Sequence, residues 1–182
     1  MYYGNIKYND ISNGAGVRTS LFVSGCTHHC KGCFNEMTWD FRYVKIFGKE
    51  EKDSILKSME QPYVQGLTLL GGEPMEPENQ AVVLNLIKEV KLRYPEKDVW
   101  IYTGYTWEEM TSEDSKSRCK TECLDEILKN ADIVVDGRFV MELKDISLRF
   151  KGSSNQRIID IQESLKQNRL VMSSYNKKRT MN

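Results

Sequence analysis

No stretch of this chain approaches the roughly 20 consecutive apolar residues that a membrane-spanning helix needs, so no such span is expected. Neither sign of charge is in excess: 26 lysines and arginines stand against 26 aspartates and glutamates. A surface that binds nucleic acid or anionic lipid usually carries a net positive field, so neither is an expected partner. The first residues, Met1-Tyr2-Tyr3-Gly4-Asn5-Ile6-Lys7, lack the apolar core of a signal peptide, and the cytoplasm is the expected location. A disulfide framework is missing as well. Five cysteines is an odd number and three crowd into eight residues, whereas a framework spreads an even number along the chain. There is no internal repeat and no low-complexity block.

What is present is ordinary in bulk. At 182 residues, with 40% apolar and 29% charged, the chain suits one domain with a real core. A domain over 1–172 with a short polar tail at 173–182 is expected. The strands read as apolar runs at 18–24, 66–70, 98–102 and 132–135, with a fifth at 157–161. Helices are expected between them at 52–61, 77–94 and 121–130, with a last helical stretch at 163–168. Within 77–94, Val83, Ile87, Val90 and Tyr94 recur at helical spacing, and Pro77 sits where a missing N–H costs little. Strands alternating with helices argue for a parallel sheet with helical crossovers.

The unusual residues fall at the ends of those strands. Cys26, Cys30 and Cys33 follow the run Leu21-Phe22-Val23. Gly71-Gly72-Glu73-Pro74 follows the second strand, Thr103-Gly104 the third, and Asp136-Gly137-Arg138 the fourth. In parallel α/β sheets the carboxyl edge is where active sites form, and four coincidences at that edge mark it as the site.

Three thiolates in one loop can hold a metal centre and leave a position open. A four-iron cluster normally takes four cysteines, so either a fourth ligand comes from elsewhere or a substrate takes its place. A structural zinc site would use the three cysteines with His28 or His29. Zinc sites usually draw on two separated pairs, and the only other pair here, Cys119 and Cys123, is a C-x3-C. A thiol redox site would use Cys30 and Cys33 and leave Cys26 unexplained.

The spacing C-x3-C-x2-C, followed by Gly-Gly-Glu-Pro at the next strand end, resembles the radical S-adenosylmethionine enzymes over nearly the whole chain. The resemblance implies an incomplete (βα) barrel, with its sheet parallel and its helices on the outer face. It implies a [4Fe–4S] cluster on Cys26, Cys30 and Cys33, with S-adenosylmethionine on the fourth iron. It places Gly71, Gly72, Glu73 and Pro74 at the cofactor, with Glu73 accepting from its ammonium. Thr103, Asp136 and Arg138 are expected beside them.

Asn13-Gly14-Ala15-Gly16-Val17-Arg18-Thr19, the cysteine loop and Gly152-Ser153-Ser154-Asn155-Gln156-Arg157 narrow the resemblance to activases of glycyl-radical enzymes, and among them to activators of anaerobic ribonucleotide reductase. This narrower resemblance implies an oxidoreductase that makes a glycyl radical on the large reductase subunit. It also implies a flavodoxin-type electron donor, and a homodimer or a complex with the reductase. An activator of another glycyl-radical enzyme such as pyruvate formate-lyase, a small-molecule radical enzyme, and a zinc-stabilised binding module are the alternatives. The chain departs from the pattern at Asn13 and Ala15, where Asp-Gly-Pro-Gly is usual, at Lys31, where proline is usual, and at Gly32, where many relatives carry an aromatic; Phe34 offers apolar contact nearby. His28 and His29 are expected as exposed loop residues or partner contacts. Cys119 and Cys123 are expected as ordinary thiols, and 149–157 as a surface for the reductase or a clamp near the cofactor.

Overall fold

The computed structural model describes residues 1–176. In chain order the main elements are β1 (Tyr2–Asp10), β2 (Val17–Val23), β3 (Lys45–Ile46), α1 (Lys49–Met59), β4 (Val64–Gly71) and α2 (Pro77–Arg93). Then come β5 (Asp98–Tyr102), α3 (Trp107–Thr111), α4 (Leu124–Asn130), β6 (Ile133–Asp136), β7 (Arg157–Asp160) and α5 (Ile161–Gln167). The strands form one seven-stranded sheet in the order β3-β1-β2-β4-β5-β6-β7.

The centre is the expected parallel core. β2, β4, β5 and β6 run side by side, with Leu21 opposite Leu69, Leu69 opposite Ile101, and Ile101 opposite Val134. A strand buried on both faces reads as continuous apolar sequence, and β4 shows why: every residue from Gly66 to Leu70 is buried. One face carries Leu21, Leu67, Leu69, Val99, Ile101 and Val134 into the main core, where α1, α2 and α4 cover them with Ile55, Leu86, Ile87 and Ile127 among others. Among the described residues the opposite face has no helical layer of this kind. It packs Trp100, Val135 and Ile158 against Phe150 and Tyr175.

Arg18 lies fully buried on this second face. Its guanidinium pairs with Asp98 at 2.6 Å, donates to Thr68 Oγ1 at 2.7 Å and to the Leu67 carbonyl at 2.8 Å, and rests 5.2 Å from the Trp100 ring. A buried guanidinium is tolerated because its donors are used and its charge is paired.

The sheet departs from expectation at both ends. β1 and β3 are antiparallel additions before β2, and β7 runs antiparallel to β6 with Asp136 opposite Arg157. The sheet is therefore mixed where a parallel one was expected, and among the described residues it stays open. Its sense at β7 follows from the connection. A parallel return needs a crossover, usually helical, but between Asp136 and Arg157 there is only the short 3-10 turn Met141–Leu143. The chain turns back at the same end of the sheet, and 137–156 stays at the carboxyl edge. α3, following Thr106, was not expected; Thr106 caps it by accepting from the Glu109 N–H at 3.2 Å while the Glu109 carboxylate receives the Thr106 N–H at 2.8 Å.

The first residues of the expected tail are docked. The Ser173 N–H donates to the Ile158 carbonyl at 2.8 Å, and the Tyr175 ring lies 5.2 Å from Trp100. The rest of that tail, 177–182, lies outside the described residues. Among the described residues no helix is long and apolar enough to cross a membrane.

Candidate functional site

The loop after β2 is tied down before any ligand is considered. Gly25 N–H donates to Thr38 O at 2.8 Å, Cys26 N–H to Trp39 O at 3.2 Å, and Gly72 N–H to Val23 O at 2.8 Å. The Gly25 carbonyl receives the Glu73 N–H at 2.8 Å, which joins the cysteine loop to the turn after β4. That turn needs its glycines. Gly71 has φ +103°, and a Cβ on Gly72 would come within 2.6 Å of the Gly25 carbonyl. The close approach that the glycines permit is therefore first of all backbone to backbone.

Each of the three sulfurs has a backbone N–H directed at it. Those of His28 and His29 reach Cys26, that of Phe139 reaches Cys30, and that of Asn35 reaches Cys33 Sγ at 3.3 Å. The N–H groups favour thiolate, but burial outweighs them. It pushes the Cys26 thiol up to about 12, helped by the nearby Glu73 charge, and it raises Cys30 as well. A metal that binds here displaces protons the protein otherwise keeps. Among the described residues no three His, Cys, Asp or Glu side chains close on one point as a single ion requires.

The three cysteines line one cavity of about 580 Å³ together with Gly71, Gly72, Glu73, Thr103 and Gly104. The strand-end motifs from β2, β4 and β5 thus meet on a common wall. Pro74, Asp136 and Arg138 are not on that wall. Asp136 is buried, with 1% of its surface exposed, and it is fully engaged. It receives the Trp107 N–H at 2.7 Å and Arg157 Nε at 3.0 Å, with a second bond from Arg157 Nη2. This carboxylate fastens β6 to β7 and to the start of α3. Arg138 forks onto Glu109 at 3.0 and 3.2 Å and lies 5.9 Å from the Tyr105 ring; its charge acts on Cys30 from outside the cavity.

Of the segment 149–157, Phe150, Lys151, Gly152 and Gln156 form cavity wall. Gln156 shapes it, since its Oε1 receives the Gly152 N–H at 2.8 Å and its Nε2 donates to Gly137 O at 3.0 Å. Lys151 donates to Gln156 O at 2.9 Å, and burial lowers its pKa. The two histidines part company. His29 is exposed, as expected, and stacks on Trp39 at 4.6 Å. His28 corrects the expectation. Its side chain is only 5% exposed and points inward to Glu73. Cys119 is buried beside Ser117 and Glu109, and neither it nor Cys123 lines the cavity.

Sequence reasoning missed the residues that brace this wall. Glu76 is fully buried; its Oε1 accepts from the Thr27 N–H at 2.8 Å and from the Thr27 hydroxyl at 2.5 Å, while Oε2 accepts from Arg118 at 2.7 Å. Asn79 donates to both Ser24 O at 3.0 Å and Glu73 O at 2.9 Å. Their position in and just before the first turn of α2, directly after Gly71-Gly72-Glu73-Pro74, was the available signal. Two further wall residues, Tyr102 and Trp39, bury a hydroxyl and an indole N–H that have no hydrogen-bond partner among the described residues. Three thiols with aimed N–H groups beside an acidic edge fit an iron–sulfur cluster with a polar cofactor next to it.

Comparison with known proteins places this site in a family. Residues 12–159 match the model of the 4Fe-4S single cluster domain. The chain is 41% identical over 160 residues to the anaerobic ribonucleoside-triphosphate reductase-activating protein of Pasteurella multocida, covering 87% of this chain and 96% of that one. It is 40% identical over 151 residues to the protein of that name from Vibrio cholerae, covering 82% and 91%. It is 38% identical over 158 residues to that of Enterobacteria phage T4, covering 87% and 93%. With its cysteines in a single-cluster domain and this similarity over most of its length, the chain belongs to the family of anaerobic ribonucleoside-triphosphate reductase-activating proteins.

Proposed function

We propose that the protein activates anaerobic (class III) ribonucleotide reductase by generating a glycyl radical on its large subunit. The observation that carries this reading is the single cavity wall on which Cys26, Cys30 and Cys33 meet the Gly71-Gly72-Glu73 edge. Cys26, Cys30 and Cys33 would hold three irons of a [4Fe–4S] cluster, and Glu73 with Gly71, Gly72 and Thr103 would hold S-adenosylmethionine. When bound, these groups would supply the one-electron reductive cleavage of S-adenosylmethionine to methionine and the 5′-deoxyadenosyl group, and with it the means to remove a hydrogen atom from one glycine of the partner.

The chain's own contribution is placement and exclusion. The N–H groups at the three sulfurs favour the ligating thiolates and tune the potential. The apolar wall residues Phe22, Leu70 and Phe150 keep water from a reactive radical. No acid–base pair is called for, because the chemistry is homolytic. A flavodoxin-type protein is the proposed source of the electron.

The test is anaerobic incubation of the reconstituted protein with dithionite, S-adenosylmethionine and a purified class III reductase, read by electron paramagnetic resonance. A glycyl-radical doublet on the reductase, with 5′-deoxyadenosine formed, is the expected result, and alanine at any of the three cysteines abolishes both. Cofactor cleavage without the doublet would reject the partner. A protein that takes up zinc but no iron cluster, and cleaves nothing, would reject the activity.

A further inference from the structure

His28 stands between two of the clustered cysteines, yet its ring is turned away from solvent and into the turn after β4. Its Nε2 lies 3.0 Å from Glu73 Oε2. That oxygen also receives the Gly104 N–H at 2.7 Å, while Oε1 receives the Met75 N–H at 2.8 Å. Oε2 already accepts the Gly104 N–H, so we assign Nε2 as the donor to it. The ring is confined on its other sides. It meets Tyr105 edge-on at 4.4 Å, and it lies so close over Gly104 that a Cβ there would come within 2.3 Å of its Cδ2.

Three donors from three different strand ends therefore converge on one carboxylate. The loop after β2 sends His28, the turn after β4 sends Met75 N–H, and the segment after β5 sends Gly104 N–H. Two of them are backbone groups fixed by the strands. His28 is the only side chain of the three, and the only one that a substitution can remove without moving the sheet. A carboxylate has about four acceptor positions, so three donors leave about one for a ligand, on a side chain of which 1% is exposed. Without His28, the Glu73 side chain regains rotamer freedom that a ligand must then remove.

On the proposed function above, we infer that His28 is a positioning residue for S-adenosylmethionine, holding the Glu73 carboxylate in the orientation that receives the cofactor's ammonium and tying that edge to the cluster loop. In this role His28 acts through its Nε2 contact with Glu73, and touches neither reacting atoms nor iron.

The test uses the anaerobically reconstituted protein and three variants, His28→Ala, His28→Gln and Gly104→Ala. Iron and sulfide content and the reduced-cluster resonance are measured without cofactor. S-adenosylmethionine affinity is measured by equilibrium dialysis, and 5′-deoxyadenosine formation at limiting and saturating cofactor. His28→Ala is expected to keep the parent's cluster and to bind the cofactor roughly ten- to hundredfold more weakly, as for a lost charge-assisted bond. Its cleavage rate at saturation stays within about threefold of the parent, since uniform binding is what is lost. His28→Gln, which offers an amide nitrogen near the Nε2 position, recovers most of the affinity. Gly104→Ala pushes the ring off Glu73 and reproduces the His28→Ala affinity. Parental affinity in His28→Ala, or no rescue by His28→Gln, overturns the inference. So does a His28→Ala protein that loses its cluster, because His28 would then be building the cysteine loop. A parent protein that takes up no four-iron cluster or does not bind S-adenosylmethionine overturns the proposed function along with it, before any variant is compared.

Discussion

Replacing Asp136 by alanine separates two roles for one residue. Its place at a strand end suggests contact with cofactor, whereas its neighbours make it a fastener. The carboxylate is 1% exposed and receives Trp107 N–H and the Arg157 guanidinium. Alanine leaves the Trp107 N–H buried and unpaired, at a cost of about 1–3 kcal/mol. Arg157 loses its inner partner but keeps Glu108, and 29% of its side chain is exposed, so water replaces part of what is lost. The cost is then below the ~3–5 kcal/mol of a fully buried broken pair, and the two effects together come to about 3 kcal/mol. For a domain of this size about 1 kcal/mol shifts the melting temperature by roughly 2–4 °C, which gives a fall of about 6–12 °C. The assay is thermal unfolding of the metal-free protein under argon, since a bound cluster would add its own linkage. A variant that melts within about 2 °C of the parent yet fails to bind S-adenosylmethionine would refute the reasoning and return Asp136 to the cofactor.

Protonation supplies two further tests. The Arg157 bond to Glu108 holds that carboxyl at about 2, below its ordinary 4.5. A lowered folded-state value stabilises the fold above pH 4.5 and loses that contribution as pH falls from 4.5 to about 2. Glu108→Gln should therefore flatten the acid limb of stability in that window, and an unchanged limb in urea titrations would count against the pair. The Cys26 thiol, raised to about 12, should alkylate slowly with iodoacetamide in the metal-free protein. Its rate should still climb beyond about pH 10; a plateau near the ordinary 9 would mean the sulfur is not buried as described.

The parallel core was legible because buried strands write themselves as apolar runs, as β4 does from Gly66 to Leu70. β1 was not, because Lys7, Tyr8 and Asn9 are exposed in succession and leave no alternation to read. The sense of β7 depends on where the preceding connection lies, and no local pattern in residues 157–160 encodes that. At the site, the cysteines and Gly71-Gly72-Glu73 announced themselves by spacing. The pairs His28–Glu73, Thr27–Glu76 and Asp136–Arg157 did not, because they join residues 45, 49 and 21 positions apart. A charge in sequence does not name its partner, and strand-end position alone did not show that Asp136 is buried against Arg157 and the Trp107 N–H.

The antiparallel return of β7 makes residues 136 and 157 neighbours at the neck of the segment between them. A segment whose ends already touch can gain or lose residues without shifting the strands that bear it, and each doubling of its length costs only about 0.6 kcal/mol in closure entropy. The cysteine loop and the turn after β4 have no such latitude, because they lie between strands locked in parallel register. One wall of the cavity is therefore borne by a segment that can change length while the strands carrying the cysteine loop and Gly71-Gly72-Glu73 keep their register.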